Sequence, residues 1–190
     1  MERSVVFAGF GGQGLLFAGQ VLARAAIRDG LEVFWIPSYG PEMRGGTASC
    51  TVILADGQIG SPVVDRYDAA VVMNPPSLGK FAPRVARNGL LLVNTSLVGL
   101  DDVPPMPDGA TVLPLPCTEL ASRGGDDKLV SVVALGALVE RTAWVTPESV
   151  VATIRAVVGE KRPQIVEADI GAFEAGRAAA AREAIAAGGG

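Results

Sequence analysis

The sequence has no histidine among its 190 residues, only two cysteines, and few aromatics: six Phe, two Trp and two Tyr. Without histidine the side chain most used as a general base near neutral pH is missing, and so is the commonest metal ligand. A Ser-His-Asp triad is excluded. Cys50 and Cys117 are far apart and form no Cys-x-x-Cys pair, whereas iron-sulfur clusters and structural zinc need about four closely organised ligands. The chain is therefore expected to hold no metal or cluster of its own. Apolar runs such as Leu90-Leu91-Leu92-Val93 fall far short of the ~20 residues of a membrane span. Sixteen basic residues against twenty acidic ones give a net charge of -4 with no basic stripe, which argues against nucleic acid as a partner. No ~7–15-residue apolar signal region follows the first residues, so a reducing cytoplasm and two free thiols are expected.

What is present is apolar surface: 49% of the residues are hydrophobic and 19% charged, with mean hydropathy +0.36. That supports one large core, expected to span residues 1–187 with a flexible tail over 188–190, and leaves apolar surface for something other than lipid to cover. Val5-Val6-Phe7-Ala8 reads as a short buried strand. Residues 15–28 read as a helix stopped at Asp29-Gly30, and 32–36 as a second strand. The β-branched run over 47–54 ends at Asp56-Gly57, close enough to Gln58-Ile59 to predict a hairpin or a sheet-edge extension. A third apolar strand over 69–73 is followed by Asn74-Pro75-Pro76-Ser77, which should open a helix through about residue 86, before Asn88-Gly89 turns the chain. Further strands are expected at 90–93 and 111–113, then helices over 129–141, after Thr146-Pro147-Glu148, and over 164–187. Alternating β and α units with continuously apolar strands predict an α/β domain, with a mostly parallel sheet and helices on both faces.

Gly9-Phe10-Gly11-Gly12-Gln13-Gly14 matches G-x-G-x-x-G between a strand and a helix, so the fold should be Rossmann-like. Such glycines permit a tight turn and close helix-strand packing, and the backbone N–H groups at the helix start attract anions. Gly9, Gly11, Gly12, Gln13 and Gly14 are thus a candidate anion loop. The acidic residue that would hold a ribose, expected ~20 residues on at the end of the second strand, is absent from Phe34-Trp35-Ile36-Pro37-Ser38. That favours glycines that serve packing over a nicotinamide site.

The stretch Ser38-Tyr39-Gly40-Pro41-Glu42-Met43-Arg44-Gly45-Gly46-Thr47 is the most unusual in the chain. A surface pair Glu42–Arg44 would be worth only ~0–1 kcal/mol and does not call for so many glycines. Tyr, Arg and Met among glycines fit a shaped contact surface better, which makes Tyr39, Gly40, Pro41, Glu42, Met43, Arg44, Gly45 and Gly46 a candidate subunit interface.

These two loops together closely resemble the gamma subunit, or gamma domain, of the thiamine-diphosphate-dependent 2-oxoacid:ferredoxin (acceptor) oxidoreductases. The likeness continues through Ile59-Gly60-Ser61-Pro62, Met73-Asn74-Pro75-Pro76-Ser77-Leu78, Asn94-Thr95-Ser96 and Ala134-Leu135-Gly136-Ala137. Ser131 departs from it, standing where the family often has Asn. The resemblance implies a division of labour. A 2-oxoacid is oxidatively decarboxylated to an acyl-coenzyme A on alpha and beta subunits that hold thiamine diphosphate and magnesium, and electrons leave through iron-sulfur clusters in the beta and ferredoxin-like subunits. The gamma chain would bind no cofactor itself beyond a candidate coenzyme A contact at the glycine loop. The motif form leans towards 2-oxoglutarate-type enzymes. Two rivals stand beside this reading: a free-standing NAD(P)- or flavin-binding oxidoreductase, and a non-enzymatic scaffold or sensor on the same fold.

Overall fold

The structure is a computed structural model that describes residues 1–38, 47–159 and 162–187. In chain order the elements are β1 (Glu2–Phe10), α1 (Leu15–Arg28), β2 (Glu32–Ser38), β3 (Thr47–Ala55), β4 (Tyr67–Val72), α2 (Pro75–Phe81), β5 (Val85–Asn94), β6 (Thr111–Leu115), α3 (Cys117–Arg123), α4 (Val130–Thr142), α5 (Pro147–Val158) and α6 (Pro163–Ala187). The strands form one sheet in the order β2-β3-β1-β4-β5-β6. β1, β4, β5 and β6 pair in parallel, whereas β3 runs antiparallel to both β1 and β2. Only β3 opposes the common direction, so the sheet is mostly parallel, as its apolar strands predict.

Three details differ from the sequence-based expectation. β3 is neither an edge strand nor the partner of Gln58-Ile59. It lies between β1 and β2, with Cys50, Val52 and Ile53 fully buried, because both of its sides and both of its faces are covered. The second helix ends early, at Phe81, and a single 3-10 turn over Ala82–Arg84 leads directly into β5. Pro83 in that turn offers no N–H to continue the helix. Asn88-Gly89 then forms a bulge inside β5 rather than the turn before it: Tyr67 pairs with Val85 but Ala69 with Leu90, and Asn88 has φ 58.

Helices cover the faces unequally. Val5, Phe7, Val52, Val71 and Leu92 point to the larger core, under α1 and α4 with α5 and α6 behind. Val6, Ala8, Ala70, Leu91 and Val93 point to a smaller core under α2 and the coil around Val98. α4 is buried on all sides from Val130 to Val139, which accounts for a stretch in which Ser131 is the one polar residue. α5 starts where Thr146 predicts, its hydroxyl accepting from Ser149 N at 3.3 Å, and Asp29 at the end of α1 accepts from both the Thr146 and Ser149 side chains.

Candidate functional site

The glycine loop follows β1 at the carboxyl edge of the sheet. Phe10 N donates to Gln13 Oε1 at 2.7 Å and closes the turn. Two of the glycines are explained by what lies against them. A β-carbon on Gly9 would overlap the Gln13 side chain and fall 2.7 Å from the Met73 β-carbon. One on Gly14, which caps α1 with φ 75, would fall 2.7 Å from Ser131 Oγ. Gly12, at φ 91, faces open space instead. Gly11 and Gly12 are exposed and Gln13 is half-buried. Ala18 N bonds Gly14 O at 3.0 Å, so the N–H groups of Leu15, Leu16 and Phe17 precede the helical ladder and point outward. No acidic residue stands in the first turn of α1. Gly9 and Gly14 therefore serve packing, and Gly12 alone of the three faces open space.

Dinucleotide binding is disfavoured by the strand order as well as by the missing acid. In the dinucleotide fold the ribose is held from the strand beside β1. Here β3 occupies that place, which puts the end of β2 two strand spacings, about 10 Å, from β1. A free-standing NAD(P) enzyme loses its second anchor on both counts.

Next along the same edge, Asn74, which caps α2 just after β4, and Asn94, the last residue of β5, are both fully buried. Asn94 Nδ2 donates to Thr118 Oγ1 at 3.0 Å and its Oδ1 accepts from Ser96 N at 3.3 Å, which ties the β5 loop to α3. Asn74 Oδ1 accepts from Ser77 N at 2.9 Å. The Asn-Thr-Ser and Asn-Pro-Pro-Ser motifs thus fix loops at the sheet edge.

The proposed contact loop, Tyr39 to Gly46, lies outside the described residues. Its flanks are placed: Ser38 pairs with Ser49, and Thr47 pairs with Phe10, so the loop leaves and rejoins the sheet beside the glycine loop. Strand alternation puts Phe10 and Phe34 on the same face, opposite α1, and both are exposed, at 38% and 44%. They are not neighbours: through Ile53, Phe34 stands level with Ser4, six residues or ~20 Å along the strands from Phe10.

No group of three or more His, Cys, Asp or Glu among the described residues is arranged to hold a metal ion. Cys50 on β3 and Cys117 at the start of α3 are buried and unbridged, and burial pushes both thiols up to about 12. Protonated thiols on separate elements do not suit a cluster, which requires thiolates. No described helix is long and apolar enough to cross a membrane.

Comparison with known proteins defines the class. The family described as pyruvate ferredoxin/flavodoxin oxidoreductase matches residues 4–179, and the chain belongs to it. It is 39% identical over 137 residues to the ketoisovalerate oxidoreductase subunit VorA of Methanothermobacter thermautotrophicus, covering 72% of this chain but 28% of that one. The chain therefore spans little more than a quarter of that relative. It is 34% identical over 181 residues to the 2-oxoglutarate synthase subunit KorC of Methanothermobacter marburgensis, covering 93% of this chain and 96% of that one. The crystal structure of the gamma subunit of a keto/oxoacid ferredoxin oxidoreductase from Geobacter sulfurreducens superposes with TM-score 0.80 at 31% identity, over 95% of this chain and 99% of that one.

Proposed function

We propose that this chain is the gamma subunit of a multi-subunit 2-oxoacid:ferredoxin, or related acceptor, oxidoreductase. The observation that carries the reading is the end-to-end likeness to a separate gamma subunit, shared over 95% and 99% of the two chains. In such a complex thiamine diphosphate, with magnesium, would supply the carbanion-stabilising chemistry on the alpha and beta subunits, and iron-sulfur clusters would carry electrons to ferredoxin. The described residues of this chain offer neither a carboxylate cluster for magnesium nor thiolates for a cluster. Its own work is then assembly. The 39–46 loop, with Phe10 exposed at the end of β1 beside its flank, would meet the neighbouring subunits, since exposed aromatics make interface anchors. The exposed N–H groups around Gly12 would meet an anionic end of coenzyme A. The motif form and the KorC relatives favour 2-oxoglutarate as substrate, and the two unbridged thiols fit a reducing cytoplasmic setting.

Reconstituting the complex with Gly12→Asp tests both roles. Relative to Gly12→Ala, which carries the same strain at φ 91 without the charge, the carboxylate should raise the apparent KM for coenzyme A several-fold while subunit assembly and decarboxylation are the same in both variants. An unchanged KM would remove the coenzyme A contact. Loss of assembly would restrict the loop to docking.

A further inference from the structure

At the opposite edge of the sheet, where the parallel strands begin, two cavities lie side by side and share Arg3, Thr142 and Trp144. One, of about 340 Å³, is walled by Leu31, Leu54, Ala55 and Trp144, with the paired Met1 ammonium and Asp56 carboxylate at its rim. The other, of about 490 Å³, is walled by Arg3, Arg87 and Arg141 with a single carboxylate, Asp68. Three arginines from three separate elements thus line one cavity of a chain whose net charge is -4. Arg3 begins β1, Arg87 stands at the β5 bulge, and Arg141 lies in the last turn of α4.

The local charges leave the cationic lobe with a surplus. Asp68 already accepts from Ser4 N at 2.8 Å, from Ser4 Oγ at 3.1 Å and from Arg3 Nη1 at 3.5 Å. Arg3 Nε is buried with no partner. Arg87 meets Asp108 just outside the cavity at 2.7 Å, with side chains 77% and 85% exposed; solvent screens such a pair and leaves the other guanidinium N–H groups available. Arg141 has no carboxylate within ion-pair distance among the described residues. The carbonyls at the end of α4 disfavour an anion there, an opposition that the Arg141 charge in the same turn offsets.

We propose that this double cleft binds a nucleoside diphosphate, with its base against Trp144 in the apolar lobe and its phosphates against Arg141, Arg87 and Arg3. The volumes suit a ligand of this size, and guanidinium forks suit phosphate oxygens. The site is separate from the glycine loop and does not rest on the chain's place in a complex.

Calorimetric titration of the full chain with ADP, adenosine and pyrophosphate tests it. ADP should bind saturably, more tightly than either fragment, because each fragment fills one lobe. Arg141→Gln should weaken ADP about tenfold or more with no change in melting temperature, and Arg87→Gln, at an exposed site, should weaken it about threefold. No saturable ADP binding up to millimolar concentration would overturn the proposal, as would equal affinity in both variants. Pyrophosphate binding as tightly as ADP would remove the base-binding lobe. If Arg87→Gln and Arg141→Gln combined in one chain cause loss of associated subunits and the native chain fails to bind ADP, the cleft is a protein contact and the proposal is wrong.

Discussion

Gly14 and Ser131 lock the start of α1 to the first turn of α4: a β-carbon on Gly14 would fall 2.7 Å from the Ser131 hydroxyl, which is fully buried and has no hydrogen-bond partner. The contact joins the glycine loop to the most buried helix of the fold. Gly14 also has φ 75, a conformation costly for any residue with a β-carbon. Gly14→Ala should therefore lower stability by about 2 kcal/mol or more in urea unfolding. Ser131→Ala should be neutral or stabilising by up to ~1 kcal/mol, because it removes a buried hydroxyl that bonds nothing. A loss above ~1.5 kcal/mol in Ser131→Ala would reveal a partner for that hydroxyl.

The α4–α6 crossing rests on two more glycines. β-carbons on Gly136 or Gly176 would overlap the carbonyls of Phe173 and Val133, respectively. Backbone cannot move aside as a flexible side chain can. Gly136→Ala or Gly176→Ala should cost about 3 kcal/mol or more and lower the melting temperature sharply. Gly171, also on α6, has nothing within 4 Å of an added β-carbon, and Gly171→Ala should instead stabilise by ~0.5–1 kcal/mol through helix propensity. Equal effects at 171 and 176 would contradict the close crossing.

The two thiols should be chemically silent in the folded protein. With Cys50 and Cys117 pushed up to about 12 by burial, neither is a thiolate at pH 8. A thiol-disulfide reagent should modify neither until denaturant is added, and then both. Rapid modification of the native chain would contradict their placement.

Asp169 on α6 is 3% exposed, and its pKa is raised to about 6 by desolvation and then by the nearby Asp126 carboxylate. The folded state holds this proton over a pH range in which the unfolded chain has already lost it. Stability attributable to Asp169 therefore falls as pH rises from about 4 to about 6 and stays low above that. Asp169→Asn should stabilise the protein by about 1–2 kcal/mol at pH 7.5, with the gain vanishing near pH 4. A gain independent of pH would show that Asp169 is not the group responsible.

Local signals made much of the fold readable. The apolar run before Gly9 and the glycine cap near Gly30 bound β1 and α1, and the capping threonine places α5. What local signals do not carry is neighbour identity. The β3 run has the composition of a strand anywhere in a sheet, and its insertion between β1 and β2 follows from pairing at long range. The candidate site divides in the same way. The glycine motif was visible, but its partition into packing glycines and one open glycine depends on Met73 and Ser131, both distant in sequence. The arginine cleft has no motif, because Arg3, Arg87 and Arg141 meet only through the fold. The Tyr39 to Gly46 contact loop remains a proposal carried by its flanks and its composition.

Affinity purification of this chain from its native host without oxygen, followed by assay of bound and isolated fractions, tests the central claim most directly. The account predicts that the chain comes down with thiamine-diphosphate- and cluster-bearing subunits, that this brown complex turns over a 2-oxoacid with coenzyme A, and that the chain alone turns over nothing. Oxidation of a 2-oxoacid, or of a nicotinamide, by the purified chain with no other protein present would contradict it.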